Sequence, residues 1–251
     1  RQLFERRLPM NPPTALAILT YVDASRPSDV GRRLPDAIAS LEATNYGGPV
    51  FVVDDGSTCA NHLAYLRTLE RSGRYVVIYR PENGGISRAK NTCLRAIMDT
   101  GAEIGFLVED DILFAEGWDS AYVDAMRRSR IRHFSWYLPE EANRVVACNE
   151  EVVTITAGLL GLLATFTREV VETVGGFKVL PHRYGFEHIN WTYRIVHAGL
   201  APFPADIFNS SRFVRRNSLP SSLEEAEIRA GAEANRIPGY ELKRIHEPLS
   251  E

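Results

Sequence analysis

Three consecutive acids, Glu109-Asp110-Asp111, close a short apolar run, Ile104-Gly105-Phe106-Leu107-Val108. Like charges at one strand tip repel. A hard divalent cation would relieve them, since Mg2+ or Mn2+ takes one or two carboxylates together with phosphate oxygens. A solvated acidic turn accounts for the triplet equally well when it is taken alone. A second acidic tip, Asp54-Asp55-Gly56-Ser57, follows Pro49-Val50-Phe51-Val52-Val53. Carboxylates placed there can accept hydrogen bonds from a nucleobase N–H or from ribose hydroxyls. Asp and Ser also cap helices, and Gly favours turns, so this segment too has a plain structural reading.

Two further segments carry candidate chemistry. Arg80-Pro81-Glu82-Asn83-Gly84-Gly85-Ile86-Ser87-Arg88-Ala89-Lys90-Asn91 brings a Gly-rich turn to a helix start with basic residues nearby. Free N–H groups at such an end attract phosphate. The loop lacks both the P-loop Gly-Lys-Ser/Thr and the dinucleotide Gly-x-Gly-x-x-Gly, and an ordinary capped turn is the competing reading. Glu187-His188-Ile189-Asn190-Trp191-Thr192-Tyr193-Arg194 has helical spacing, which puts Glu187, Trp191 and Arg194 close to one face. A carboxylate or imidazole beside an acceptor hydroxyl can take its proton, which makes Glu187 and His188 candidates. The structural alternative is a Glu favourable to the helix dipole with Arg194 as its pair partner.

These tips need a frame that gathers them. Ala15 to Tyr21 reads as a buried first strand, Pro49 to Val53 as a second, Tyr75 to Tyr79 as a third and Ile104 to Val108 as a fourth. Helical spacing runs from Arg32 to Ala43, Leu63 to Arg71 and Ile86 to Met98, so strand and helix alternate. That order predicts an α/β fold, a mostly parallel central sheet flanked by helices. Ligands in such sheets bind at the carboxyl ends of the strands, which places Thr20, Asp54, Asp55 and Asp111 around one crevice. Ala157 to Phe166 reads as a buried element. A basic stretch with Arg212, Arg215 and Arg216 follows Asp206, then a helix from Leu223 to Asn235 and a polar tail.

Bulk properties narrow the class. The 251 residues are 45% hydrophobic and 24% charged, a composition that excludes collagen, a coiled coil and wholesale disorder. A net charge of −3 supplies no global basic field for nucleic acid, and no nucleic-acid partner is expected. No apolar run reaches the roughly 20 residues of a membrane span, which leaves peripheral membrane contact open. Cys59, Cys93 and Cys148 are odd in number and lack zinc spacing, so a reducing, cytoplasmic setting is the expectation.

In order, these pieces resemble the family 2 glycosyltransferases and their GT-A-fold relatives, from about Thr14 to Pro204. The resemblance is carried by Thr20-Tyr21, Phe51 to Thr58, Asn83-Gly84-Gly85 leading to Ala89-Lys90-Asn91, and Phe106 to Asp111. It continues through Arg168-Glu169-Val170, Gly175-Gly176-Phe177, Tyr184-Gly185-Phe186-Glu187-His188 and Arg194. It implies a GT-A domain over residues 14–205, with 206–251 as a C-terminal extension on the acceptor side or acting as a lid. It implies a nucleotide diphosphate sugar donor, assisted by Mn2+ or Mg2+. The acceptor would be a glycan, a lipid-linked molecule, a protein or a small molecule.

The resemblance also assigns roles. Thr20, Tyr21, Asp54 and Asp55 would hold the nucleoside. Lys90, with Arg80 or Arg88, would steady the diphosphate, Gly85 and Asp110 would belong to the donor site, and Asp111 with Glu109 would hold the metal. Two departures stand out. The family commonly has Glu-Asp where this chain has Glu187-His188, and that Asp is usually the base of inverting members, so Glu187 or His188 would take over. A metal-binding His is absent near 207–212, with His182 and His188 as loose substitutes. A nucleotidyltransferase would carry a basic Gly-rich loop after the first strand, where Thr20-Tyr21-Val22-Asp23-Ala24 stands instead. A non-catalytic sugar-nucleotide or carbohydrate-binding module is the other alternative.

Overall fold

The computed structural model describes residues 13–25, 32–137, 144–156, 159–217, 222–242 and 246–250. In chain order the elements are β1 (Thr14–Thr20), α1 (Arg33–Ala43), β2 (Val50–Asp54), α2 (Ala60–Ser72), β3 (Tyr75–Tyr79) and α3 (Ile86–Asp99). Next come β4 (Ile104–Glu109), β5 (Ile112–Phe114), α4 (Trp118–Ser129), β6 (His133–Tyr137), β7 (Arg144–Cys148) and β8 (Glu151–Ile155). The chain continues with β9 (Leu159–Thr167), α5 (Arg168–Val174), α6 (Glu187–His197), β10 (Ala205–Ile207), β11 (Val214–Arg216) and α7 (Ser222–Tyr240).

Six strands form the main sheet in the order β3-β2-β1-β4-β9-β6. The first four are mutually parallel, β9 runs antiparallel to β4, and β6 antiparallel to β9. The apolar runs of β1, β2 and β4 are continuous because the sheet is covered on both faces: from Ala15 to Thr20, from Val50 to Asp54 and from Ile104 to Val108 every residue is buried. Register then fixes where the polar tips meet. Thr20 pairs with Asp54, and Leu19 pairs with Glu109, so the carboxyl ends of the three strands lie side by side. Of the residues expected around one crevice there, Asp111 lines the cleft and Thr20, Asp54 and Asp55 do not.

Beyond the parallel half the chain is less regular. The apolar stretch after Ala157 is β9, and its Thr165 and Phe166 pack into the core between β4 and β6. A second sheet, β10-β8-β7, and a two-stranded β11-β5 ribbon complete the architecture. The residues expected as a C-terminal extension are joined to the rest in several places. β10 pairs with β8, β11 with β5, and Gly175 bridges to Glu247. At the α7 surface, the buried Asn235 accepts from His182 N and donates to the carbonyls of His182, Tyr184 and Gly185. Glycine permits the close approach there: a Cβ on Gly231 would sit 2.1 Å from Tyr184 O.

Two internal polar clamps hold the loop before α6. Asn91 pairs with Phe177 as a strand neighbour would, accepting from Phe177 N at 2.7 Å and donating to Phe177 O at 3.0 Å. Arg194, fully buried, donates through Nη1 and Nη2 to the carbonyls of Val174 and Gly176 and through Nε to Asn190 Oδ1. Its partners are therefore main-chain and amide oxygens, and Glu187 pairs elsewhere. Burial draws the guanidinium down to about 10, with Glu247 opposing. Val174 O also accepts from Glu247 N, so replacing Arg194 by Leu strands Gly176 O and Asn190 Oδ1, and urea unfolding should show a loss of about 2–4 kcal/mol. A variant as stable as the wild type would remove Arg194 from this role.

Candidate active site

A cleft of about 580 Å³ opens at the carboxyl ends of the strands. Glu109, Asp110 and Asp111 form one wall, with Arg33 from α1 and Arg216 from β11 beside them. Leu160, Gly161 and Leu162 of β9 and Ile86 of α3 supply apolar lining, and Glu187 and His188 stand at the start of α6. Glu225, Glu227, Ile228 and Arg229 of α7 complete it.

The acidic triplet is split by its partners. Thr20 Oγ1 donates to Asp110 Oδ2 at 2.5 Å, joining the ends of β1 and β4. Arg216 Nε lies 3.0 Å from Asp111 Oδ2, while the buried Asp111 Oδ1 has no hydrogen-bond partner. Glu109 Oε1 is 2.9 Å from Lys90 Nζ. Burial pushes Asp110 up to about 7; the Thr20 hydrogen bond opposes this and the Asp111 charge adds to it. Burial likewise raises Asp111 to about 6, helped by the Glu109 charge and resisted by Arg216 and Arg33. Two desolvated carboxylates, one with an idle buried oxygen, are the donor set a divalent ion uses with phosphate oxygens, so Asp110 and Asp111 fit such an ion. Among the described residues no group of three or more His, Cys, Asp or Glu converges as an all-protein metal cage.

Lys90 was expected to steady a diphosphate, and its surroundings differ. It is 1% exposed, and its Nζ meets Glu109 Oε1, Glu187 Oε1 at 3.0 Å and Gly161 O at 2.9 Å. Burial alone would lower the ammonium, but the two carboxylates outweigh it and hold it above its ordinary range. Glu187 is the counterpart: burial raises it, yet Lys90 and His188 hold it far below the usual carboxylate range. His188 Nδ1 lies 3.1 Å from Glu187 Oε1 and its Nε2 3.0 Å from Leu159 O. Both neighbours are acceptors, so a neutral ring can donate to just one of them. Glycine at 161 leaves room for this cluster: a Cβ there would stand 2.7 Å from Lys90 Nζ and 3.0 Å from His188 Nδ1, so the lysine tip would have to shift.

The nucleoside candidates lie beneath and beside this cleft. Asp54 is buried, accepts from Ser57 N at 3.2 Å, and is raised by that burial. His62, whose Nε2 is 3.8 Å from Asp54 Oδ1, is drawn down to about 4 by burial and stays neutral at pH 7. Asp55 pairs with Arg80 Nε at 2.9 Å and accepts from Gly84 N at 3.1 Å, fastening the Gly-rich turn to β2. Arg80 also donates to Thr92. Tyr21 donates to Asp23 at 3.1 Å, and Arg88 is half-buried on α3. The helix start expected to face phosphate is already occupied by protein acceptors. Gly85 N donates to Asn83 Oδ1 and Ile86 N to Arg183 O, with Gly85 at φ +86°. Thr20, Tyr21, Asp54, Asp55, Arg80, Gly85, Arg88 and Lys90 thus do not line the cleft, whereas Glu109, Asp110, Asp111, Glu187 and His188 do. Sequence reading gave Arg33 no role and saw Arg216 only within a basic stretch. The acidic triplet's need for counter-charge was the signal available for both.

Comparison with known proteins bears on the family and the fold. No family model matches the chain. An uncharacterized glycosyltransferase, R363, of Acanthamoeba polyphaga mimivirus is 34% identical over 218 residues, spanning 85% of this chain and 84% of its own. Among solved structures, the mannosyltransferase PcManGT from Pyrobaculum calidifontis, in complex with GDP-Man and Mn2+, superposes with a TM-score of 0.53 at 19% identity. That match covers 75% of this chain and 56% of the other. GalNAc-T7 with UDP, GalNAc and Mn2+ gives 0.63 at 12% identity, over 98% of this chain and 53% of its own. The chain therefore spans about half the length of these two solved structures, and at such identities they speak to the fold.

Two outcomes follow from the site's electrostatics. Asp110 binds a proton more tightly folded than unfolded, so its stabilising contribution is complete below about pH 4 and is lost as pH rises through about 7. In chelator, the stability of Asp110→Asn relative to the wild type should rise by roughly 2–4 kcal/mol between pH 4 and 8. A difference independent of pH would contradict the assignment. Gly161→Ala should lower the melting temperature by several degrees, since overpacking a filled interior costs about 1–3 kcal/mol. An unchanged melt would mean that the cluster yields without cost.

Proposed function

The chain belongs to the GT-A-fold glycosyltransferases, and from that premise we propose that it moves a sugar from a nucleoside diphosphate sugar to an acceptor hydroxyl with the help of a divalent ion. The observation that carries this reading is the pair Asp110 and Asp111, buried, raised by desolvation, and opening on a cleft whose far side holds Glu187 and His188. Two neighbours of the same fold were solved with Mn2+ and a nucleotide, which supports it by analogy of architecture.

Asp111 Oδ1 and Asp110 would hold Mn2+ or Mg2+, which would offset charge on the departing pyrophosphate. Arg33 and Arg216 add fixed positive charge to the same wall, where developing anion is stabilised without reorganisation. Thr20 fixes Asp110, and Lys90 fixes both Glu109 and Glu187. The acceptor oxygen attacks the anomeric carbon as the bond to the β-phosphate oxygen breaks. The nucleoside diphosphate leaves with that electron pair, and the hydroxyl proton passes to the protein. A single displacement of this kind inverts the anomeric centre.

Between the two candidates, we assign the proton contact to His188. Its side chain is 19% exposed against 2% for Glu187, and Lys90 keeps the Glu187 carboxylate a weak proton acceptor. Glu187 then orients the His188 ring through Nδ1. In this scheme the residues lining the α7 side form the acceptor half.

Nucleotide-sugar turnover in Mn2+ tests the scheme. Asp111→Asn should remove nearly all metal-stimulated turnover. His188→Gln should lower kcat by about 10²–10⁴-fold with donor binding retained. Full activity in Asp111→Asn would defeat the metal role, and full activity in His188→Gln would return the proton to another group.

A further inference from the structure

Arg216 holds Asp111 through one nitrogen. Its Nε lies 3.0 Å from Asp111 Oδ2, and the side chain is 19% exposed in the cleft wall. Among the described residues the guanidinium makes no other hydrogen bond, so both Nη groups, with four N–H donors, are unspent. The residue is fixed by main-chain pairing as well as by charge. Arg216 stands opposite Ile112 in the β11-β5 ribbon, and Asn217 N donates to Asp111 O at 2.7 Å. Arg216 and Asp111 are therefore tied together at both backbone and side chain. A third observation completes the set: the other Asp111 oxygen, Oδ1, is buried with no hydrogen-bond partner.

This arrangement makes one carboxylate serve two cations. A divalent ion on Oδ1 would share that carboxylate with a guanidinium already on Oδ2, and the Asp111 side chain between them is 6% exposed. The two positive groups repel, and the penalty is largest when nothing negative lies between them. A pyrophosphate bridging the ion and the idle Nη donors cancels that repulsion and adds charge-assisted hydrogen bonds.

We infer that Arg216 is an anion-binding residue that couples the two ligands: it opposes the divalent ion alone and recruits the nucleotide's pyrophosphate together with the ion. This rests on the donor reading given above and adds a residue and a binding order to it. In free-energy form it is a coupling between two ligands on one site, so it is reciprocal and measurable without turnover. Arg33, on α1, also acts by charge on Asp110 and Asp111 and shares the wall.

Two binding titrations test it on the whole chain, with Arg215→Ala as a control, since Arg215 is exposed and does not line this cleft. Free Mn2+ is followed by its paramagnetic resonance signal in the absence of nucleotide. UDP and GDP are then titrated calorimetrically at saturating Mn2+. Arg216→Gln should bind Mn2+ alone several-fold more tightly than the wild type and bind the better nucleotide about tenfold or more weakly. Arg216→Lys should keep the opposition to Mn2+ but recover the nucleotide only in part, because an ammonium lacks the fork. Opposite signs in the two titrations are the signature, and a variant that merely misfolds weakens both. In a variant that melts like the wild type, weakening of both, or the absence of either expected change, overturns the inference while leaving the donor reading intact. A wild-type chain that binds neither Mn2+ nor either nucleotide overturns both.

Discussion

One constraint organises this molecule: acidic side chains gathered at the tips of adjacent parallel strands must be neutralised, and each is neutralised differently. Glu109 is matched by Lys90, which in the same place matches Glu187 and meets Gly161 O. That single buried ammonium links β4, α3, α6 and β9. Removing one partner of such a group leaves an uncompensated buried charge, a cost of about 3–5 kcal/mol. Asp111 is matched by Arg216, and Asp110 takes only a hydroxyl, from Thr20. Asp110 thus has no ion pair of its own and Asp111 keeps one oxygen idle, where a donor's cation would be held, whereas Glu109 is already taken up by an ammonium.

The same constraint explains why the site's halves are held so firmly. His188 inherits its orientation from Glu187, and Glu187 from Lys90. The loop that precedes them turns through Gly185 and Phe186, both at positive φ, a strained path for a bulky residue. Asn235 on α7 secures the carbonyls of that turn, and Arg194 and Asn91 secure the Gly175-Gly176-Phe177 segment behind it. The candidate face is positioned by buried amides and a guanidinium that bond main-chain atoms.

Much of this could be read from the residues. Buried parallel strands need apolar side chains on both faces, so β1, β2 and β4 stand out as unbroken runs, and the acids that stop them mark the carboxyl ends. The Gly-rich turn and α3, with their helical spacing, were equally visible. The partner of Lys90 was not. A lysine in a helix near a glycine turn looks the same whether it faces phosphate or two carboxylates 19 and 97 positions away in sequence. Arg216 lies on a three-residue strand, too short to carry a period, and its pairing with β5 depends on the whole fold. The β10-β8-β7 sheet was missed for the same reason: its strands are three to five residues long, and the apolar run of β7, Val145 to Cys148, is largely exposed rather than buried. Glu187 was read correctly as lying on one face with Trp191 and Arg194, all three buried, while its ion partner lay on another helix.

The central claim is that Asp110 and Asp111, and not the lysine-bound Glu109, hold the donor's cation. Anomalous scattering from crystals grown with Mn2+ and a nucleoside diphosphate tests this most directly. The account predicts one strong manganese peak within bonding distance of Asp111 Oδ1 and next to Asp110, with the pyrophosphate between the ion and Arg216. A peak on Glu109 with Lys90 displaced, or manganese and nucleotide bound away from the strand tips, would contradict it.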